Sequence, residues 1–203
     1  MQRLGSSPHR MYPGHFWGSL MKIVDLNHDE GTIHQVAALL MKGFKDHWPN
    51  AWPDLDAALD EVRDSLGTGR ISCIAIDDDR RVLGWIGGIR EYSGNAWELH
   101  PLVVHPDHQG KRIGRALVAD LEMRVVEQGG VTIFLGTDDE DGMTSIANVD
   151  LYPNVWEHIA GIKNLRRHPY EFYQKQGYVI VGVIPDANGV GKPDILMAKR
   201  MVV

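Results

Sequence analysis

Cysteine is almost missing. Cys73 is the single one in 203 residues, so an internal disulfide is impossible and nothing implies an oxidising compartment. It sits in the apolar run Ile71-Ser72-Cys73-Ile74-Ala75-Ile76 and reads as a small buried hydrophobe, not a nucleophile. Metal-ligand patterns are missing too. The ten histidines show neither Cys/His zinc spacing nor a His-Glu-x-x-His pattern, so no metal is expected. No apolar stretch approaches the ~20 residues that span a bilayer. Positive charge is in deficit: 21 Lys and Arg face 27 Asp and Glu, a net charge of −6. That disfavours nucleic acid and anionic membranes and favours a cationic partner, although the same charge also serves plain solubility. Repeats and low-complexity tracts are absent. Residues 1–20 contain no apolar segment of the secretory kind. Met21-Lys22-Ile23 reads as a second start, so residues 1–20 are expected to be a disordered upstream extension or an expression-derived segment. Residues 21–203 are expected to form one cytoplasmic domain.

What is present alternates between strand-like and helix-like segments. Apolar residues make up 43% of the chain, enough for a sizeable core. A short strand at 23–26 precedes a helix with Ile33, Val36, Ala37, Leu40 and Met41 on one face, capped by Asn27 or Asp29. An aromatic loop with Trp48 and Trp52 follows, and Asp54 caps a second helix. Three strands come next, at 71–76, 82–90 and 96–104, with the polar turn 77–81 between the first two. A long helix is expected over 110–126, a strand over 131–136, helical segments over 155–167 and 169–176, and two closing strands at 178–184 and 195–200. A meander followed by strand–helix–strand units is a mixed α+β sheet.

The informative stretch is Leu102-Val103-Val104-His105-Pro106-Asp107-His108-Gln109-Gly110-Lys111-Arg112-Ile113-Gly114-Arg115. An apolar strand ends at His105-Pro106, and a short loop runs into a helix. Unpaired N–H groups and the positive end of the dipole make such a helix start a pyrophosphate site. Gly110 and Gly114 allow close approach, and Lys111, Arg112 and Arg115 add charge at the rim. An ordinary loop with a solvated basic rim is the plainer alternative. In the strand before it, residues two apart share a face, so Glu98, His100 and Leu102 are expected to point one way, with Trp97 and Leu99 opposite. Pro101 lacks an N–H and predicts a bulge or splay.

The loop resembles the coenzyme A signature of the GNAT acetyltransferase superfamily, Gln/Arg-x-x-Gly-x-Gly/Ala after a strand. Gln109 and Gly114 match, and Arg112 stands where the pattern has its middle glycine. The superfamily resemblance covers about residues 22–201. The segments 97–104, 130–139, 164–178 and 192–195 resemble, within it, the aminoglycoside 6′-N-acetyltransferases. The resemblance implies that strand 96–104 parts from strand 131–136 and that the pantetheine arm of acetyl-coenzyme A lies between them. Its partners would be backbone groups of Leu102, Val103 and Val104, with the loop Gln109, Gly110, Lys111, Arg112, Ile113, Gly114 and Arg115 around the pyrophosphate. The implied catalytic set is Glu98 as base or orienter of the ammonium, His100 holding the acceptor or a water, Leu102 N–H polarising the thioester, and Tyr173 donating to the sulfur. Glu98 and His100 as merely exposed strand residues, and Tyr173 as a packed aromatic, remain the alternatives.

For the acceptor, Asp138-Asp139-Glu140-Asp141 follows the strand beside the splay, and Asp194 opens the last strand. Asp138, Asp139 and Asp194, with Glu98, His100 and Trp48, are the candidate contacts to a polyamine, Trp48 and Trp52 supplying aromatic faces. A solvated acidic loop and core tryptophans are the competing readings. The acceptor is expected to be the 6′-amine of an aminoglycoside. Another amine (a polyamine, a protein N-terminus or a metabolite) or a non-catalytic acyl-coenzyme A-binding module stands against it. The resemblance also implies a homodimer.

Overall fold

The computed structural model describes residues 21–201; the expectation for residues 1–20 lies outside the described residues. Strand β1 (Lys22–Asp25) leads into α1 (Glu30–Phe44). That helix starts where Asp29 accepts the Thr32 N–H at 2.9 Å and the Thr32 hydroxyl at 2.7 Å. Helix α2 (Leu55–Asp64) starts in the same way, with Asp54 accepting the Ala57 N–H at 2.9 Å. Both caps satisfy donors that the helix itself leaves free. The meander β2 (Arg70–Ile76), β3 (Val82–Glu91) and β4 (Ala96–Val104) follows. Asp77 closes the first turn by accepting the Arg81 N–H at 2.8 Å. Helix α3 (Ile113–Glu127) crosses to β5 (Thr132–Asp138), and α4 (Val155–Ala160) and α5 (Tyr170–Gln174) precede β6 (Val179–Ile184) and β7 (Asp194–Arg200).

The strands form one seven-stranded sheet in the order β1-β2-β3-β4-β5-β7-β6. Every neighbouring pair is antiparallel except β4 with β5. Helices cover both faces, the mixed, mostly antiparallel α+β fold that the sequence implies. On one face α1 and α2 bury Ile33, Val36, Leu40, Leu59 and Val62 against Ile74, Trp85 and Val103. On the other, α3 and α5 bury Leu117, Leu121 and Tyr170 against Ile86, Trp97, Leu99 and Ile133. Cys73 is fully buried in that second core. Among the described residues no helix is long and apolar enough to cross a membrane.

Three expected helices are shorter than their patterns suggest, and α5 keeps only Tyr170–Gln174 of the expected 169–176. The helix expected from Gly110 begins at Ile113, because Gly110 (φ +76°) and Arg112 (φ +67°) both take left-handed backbone. The segment expected to stay helical to residue 167 leaves the helix at Ala160. There, tertiary pairing replaces the helix: Thr144 bridges Asn164, and the Leu165 and Arg166 N–H groups donate to the Met143 carbonyl at 2.8 and 3.1 Å.

The irregularity that matters most lies in β4. Ile86 pairs with Leu102 and Gly88 with Leu99, so two steps along β3 answer three along β4. The extra residue falls at His100-Pro101, where Pro101 could not complete the ladder. Opposite it stands Gly87, and a Cβ there would collide with the His100 carbonyl. The Gly87-Gly88 pair inside an apolar strand is the sequence signal of that close approach. Gly87→Ala is therefore expected to destabilise the protein by about 1–3 kcal/mol, the usual cost of overpacking. Gly182→Ala in β6 serves as the control, because its Cβ would meet nothing nearer than Leu196 Cδ1 at 3.8 Å. Chemical denaturation of both variants checks this, and equal stabilities would contradict it.

Candidate active site

The bulge inverts the side-chain alternation of β4. Before it, Trp97 and Leu99 enter the α3-side core, while Glu98 and His100 emerge on the α2 side beside Glu61 and Asp64. After it, Val103 enters the α1/α2 core and Leu102 packs toward the α3 side. The expected common face of Glu98, His100 and Leu102 is thus corrected. A strict period of two holds only within an unbroken strand, and the added residue puts Leu102 opposite the other two.

Pairing between β4 and β5 stops early. It joins Ala96, Trp97 and Glu98 to Thr132, Ile133 and Phe134, whereas β5 runs on to Asp138 against β7. From Leu99 onward, β4 has a free edge. The His105 N–H donates to the Leu83 carbonyl at 2.9 Å. Alternation then turns Val103 toward β3, and Leu102 and Val104 toward the gap. Gln109 reaches back, its Nε2–H lying 3.4 Å from the Val104 carbonyl. A cavity of about 540 Å³ occupies the gap, lined by Leu102, Gln109 and Tyr173 from one side and by Phe44, Trp48 and Trp52 from the other. His100 borders both this cavity and a second one of about 350 Å³, which Glu98, Glu61, Asp64 and Arg70 line.

At the far end of β4 the loop delivers the start of α3. The first intrahelical bond runs from the Ala116 N–H to the Arg112 carbonyl at 3.1 Å. The N–H groups of Ile113, Gly114 and Arg115 are therefore free of helix partners. Lys111, Arg112 and Arg115 are exposed around them. The Ile113 side chain is in the core, so only its backbone faces the loop. A Cβ on Gly114 would sit 3.4 Å from both Phe172 Cζ and Val104 Cγ2, leaving no room for a branched side chain. Arg112 holds a left-handed conformation with no side-chain cap, which explains why a glycine suits that position.

The acidic loop divides into unlike parts. Asp139 is fully buried and accepts the Met143 and Thr144 N–H groups at 2.6 and 2.8 Å. It shapes the loop from inside, which corrects its expected place on a ligand-facing rim. Glu140 pairs with Lys192 at 3.7 Å, and Asp141 with His47 at 3.2 Å. Asp138 remains at the cavity, in register with Asp194 on β7. The Asp194 carboxylate folds over Gly136, where a Cβ would displace it. Glu98 pairs with Phe134, two residues before Gly136, so Glu98, Gly136, Asp138 and Asp194 share one face. Burial, with Asp138 and Glu98 nearby, pushes the Asp194 carboxyl up to about 6, and its Oδ1 is buried without a partner among the described residues.

Aromatic groups close the acceptor side. Phe44 meets Trp52 edge-on at 4.8 Å and Trp48 at 5.6 Å. Trp52 lies 6.1 Å from the His100 ring, and Glu61 Oε1 lies 3.8 Å from His100 Nε2. Tyr173 comes from the opposite side of the sheet, packed edge-on against Tyr178 at 5.8 Å. Burial holds its phenol well above the usual tyrosine range.

Residues 33–148 match the acetyltransferase (GNAT) family. The chain belongs to the GNAT acetyltransferase family. Among solved structures, it is similar to an aminoglycoside 6′-N-acetyltransferase complexed with coenzyme A, at 40% identity and a TM-score of 0.81 over 89% of this chain and 97% of that one. The aminoglycoside 6′-N-acetyltransferase from Enterococcus faecium is 41% identical, with a TM-score of 0.79 over the same shares of the two chains, 89% and 97%. An aminoglycoside 6′-acetyltransferase type Ii is 34% identical, with a TM-score of 0.66, again over 89% and 97%. No curated protein sequence matches.

Several residues of this GNAT site escape a reading of the sequence. Phe44 is the last residue of α1 and looks like core. Gly136 looks like the end of a strand, yet its missing side chain admits Asp194. Glu61 is one carboxylate among several on an amphipathic helix.

Asp194 gives a testable sign. Its folded pKa, about 6, exceeds the ordinary 3.8, so the folded state binds the extra proton. Its contribution to stability is fully present below the ordinary value and is lost as pH rises through about 6. Asp194→Asn is expected to stabilise the protein at pH 7.5 by on the order of 2 kcal/mol, and hardly at all at pH ~4. Thermal unfolding at the two pH values reads the difference. An equal effect at both would remove the buried charge as its cause.

Proposed function

We propose that this acetyltransferase moves the acetyl group of acetyl-coenzyme A to the 6′-amino group of aminoglycosides. One observation carries the reading: the β4–β5 gap opens the sheet between a carboxylate-bearing face and the start of α3. The pantetheine arm lies in the gap against the backbone of Leu102 and Val104. Val103 holds β4 in place, and the pyrophosphate sits at the free N–H groups of α3 within the loop from Gln109 to Arg115. The acceptor enters from the other face beneath Trp48 and Trp52. Its ammonium groups are held by Glu98, Asp138 and Asp194, and several ammonium groups suit several carboxylates. Identity of 40–41% to two aminoglycoside 6′-N-acetyltransferases supports this acceptor.

The chemistry follows from the placement. Glu98 orients the ammonium and takes its proton, directly or through water, while His100 holds the acceptor or that water. The neutral amine attacks the thioester carbonyl, and the Leu102 N–H donates to the oxyanion that forms. When the carbon–sulfur bond breaks, the electron pair leaves on sulfur. The Tyr173 hydroxyl donates to it, and burial keeps that hydroxyl protonated. A cytoplasmic site of action and a homodimer complete the proposal. The exposed apolar Val179 and Val181 at the outer edge of the sheet support self-association, and sedimentation velocity reads it.

Turnover of acetyl-coenzyme A with a panel of amines is the test. Aminoglycosides with a 6′-amine are expected to react, and those with a 6′-hydroxyl to be inert. Spermidine and N-terminal peptides should be slower by about 10²-fold in kcat/KM. Glu98→Gln should lower kcat by about 10²-fold while leaving the KM for acetyl-coenzyme A near normal. Faster turnover of a peptide or spermidine would replace the acceptor, and no turnover with any amine would leave a binding module.

A further inference from the structure

We propose that His168 is a positioning residue that, as the neutral imidazole, fixes Tyr173 at the thiol end of the cavity. The proposal rests on the reading of Tyr173 as the donor to the leaving sulfur. Helix α5 is five residues long and begins after Pro169 with no side-chain cap at that position. Its first N–H, on Tyr170, donates instead to His168 Nδ1 at 3.2 Å. The other ring nitrogen, Nε2, lies 3.0 Å from the Asp138 carbonyl, which can only accept. The two partners together set the tautomer: Nδ1 accepts and Nε2–H donates. One imidazole thus ties the end of β5, where Asp138 borders the cavity, to the helix that carries Tyr173.

The surroundings give the ring little freedom. His168 is 1% exposed. Its backbone is held at both ends by the Asn164 side chain, whose Oδ1 accepts the His168 N–H at 2.7 Å and whose amide donates to the His168 carbonyl at 2.9 Å. Asn164 pairs with Thr144, and the Thr144 N–H ends on the buried Asp139 carboxylate at 2.8 Å. The path from the Asp139 carboxylate to the Met143 N–H, from the Met143 carbonyl to the Leu165 N–H, and through Asn164 and His168 returns to the Asp138 carbonyl. Tyr173 stands one turn beyond Tyr170, and its N–H donates to the Pro169 carbonyl at 3.3 Å. A shift at residues 168–170 therefore passes directly to the phenol.

Protonation would break this arrangement. An imidazolium presents N–H at both nitrogens, so Nδ1–H would face the Tyr170 N–H, donor against donor. The charged groups around the ring are the Asp138 and Asp139 carboxylates, which favour the imidazolium; the Tyr170 ring, 5.6 Å away, is neutral. Burial outweighs the carboxylates and holds the His168 pKa below its ordinary 6.5. The cap is therefore intact above that value and is lost as pH falls through the lower, folded one.

Two substitutions separate the two bonds. His168→Gln retains a donor near the Asp138 carbonyl and loses the acceptor for Tyr170. His168→Asn retains the acceptor and loses the donor. His168→Gln is expected to lower kcat by about 10-fold or more, the scale of a small misplacement, with the KM for acetyl-coenzyme A near normal and His168→Asn less impaired. The double variant His168→Gln/Tyr173→Phe should be no slower than Tyr173→Phe alone. In the full-length wild-type protein, NMR titration of the His168 ring should report the Nε2–H tautomer at pH 7.5 and a midpoint below the ordinary histidine value, which decides the matter even if the variants fail to fold. A slow Tyr173→Phe whose loss multiplies with that of His168→Gln, or a His168 midpoint at or above the ordinary value, would overturn the clamp alone. An unimpaired Tyr173→Phe would overturn the clamp together with the role given to Tyr173.

Discussion

The contact of Gly87 with the His100 carbonyl sets the form of the site. β3 can pass this close to β4 only because residue 87 has no side chain. The close passage lets β4 hold one residue more than its partner, and that residue reverses which way the strand's side chains point. Glu98 and His100 face α2, Leu102 faces α3, and the backbone between them crosses the sheet. Without the extra residue, Leu102 would lie beneath His100, and the two faces could not meet at one point in the gap. The reactive arrangement is thus a property of backbone register more than of the residues that decorate it.

Two aspartates show how burial decides what a carboxylate does. Asp139 is fully buried, yet two backbone N–H groups point at it, so its charge is solvated by the protein and the loop is fixed around it. Asp194 is less buried, but one of its oxygens has no partner among the described residues, and its charge is costly. A cation beside it would relieve that cost. The molecule thus keeps one carboxylate as an internal staple and leaves another short of a partner. Adjacent identical letters in the acidic loop carry none of this distinction, which depends on where residues 143 and 144 fold back.

The strands and helices and their order are legible because each has a local cause, and so is the bulge in β4, whereas the gap between β4 and β5 comes from the family resemblance. Asp29 and Asp54 are caps by type and position, Pro101 disrupts a ladder wherever it stands, and a strand followed by a glycine-bearing loop and a helix signals an exposed helix start. The start of α3 lies later than its pattern suggests because Arg112 takes a backbone conformation that its own type disfavours, and no pattern of polarity announces that. The long helix expected after residue 155 failed for a different reason: its second half pairs with residues 143–145, a contact no local window contains. The face of Leu102 does not follow from Pro101, even though Pro101 marks a disruption. A disruption shows that register can change, but the direction of the change depends on the partner strand.

The proposed placement of donor and acceptor on opposite faces has a structural consequence. The donor side is held by backbone: the free edge of β4 and the first N–H groups of α3. Those contacts belong to the fold and vary little with side-chain identity. On the proposed reading, the acceptor side is held by side chains drawn from several elements: Trp48 and Trp52 from the α1–α2 loop, Glu98 from β4, Asp138 from β5 and Asp194 from β7. Any one of these can change without disturbing the sheet, whereas a change to the free edge of β4 would undo the gap itself. The fold therefore fixes which group is transferred and leaves the choice of amine to residues at its rim.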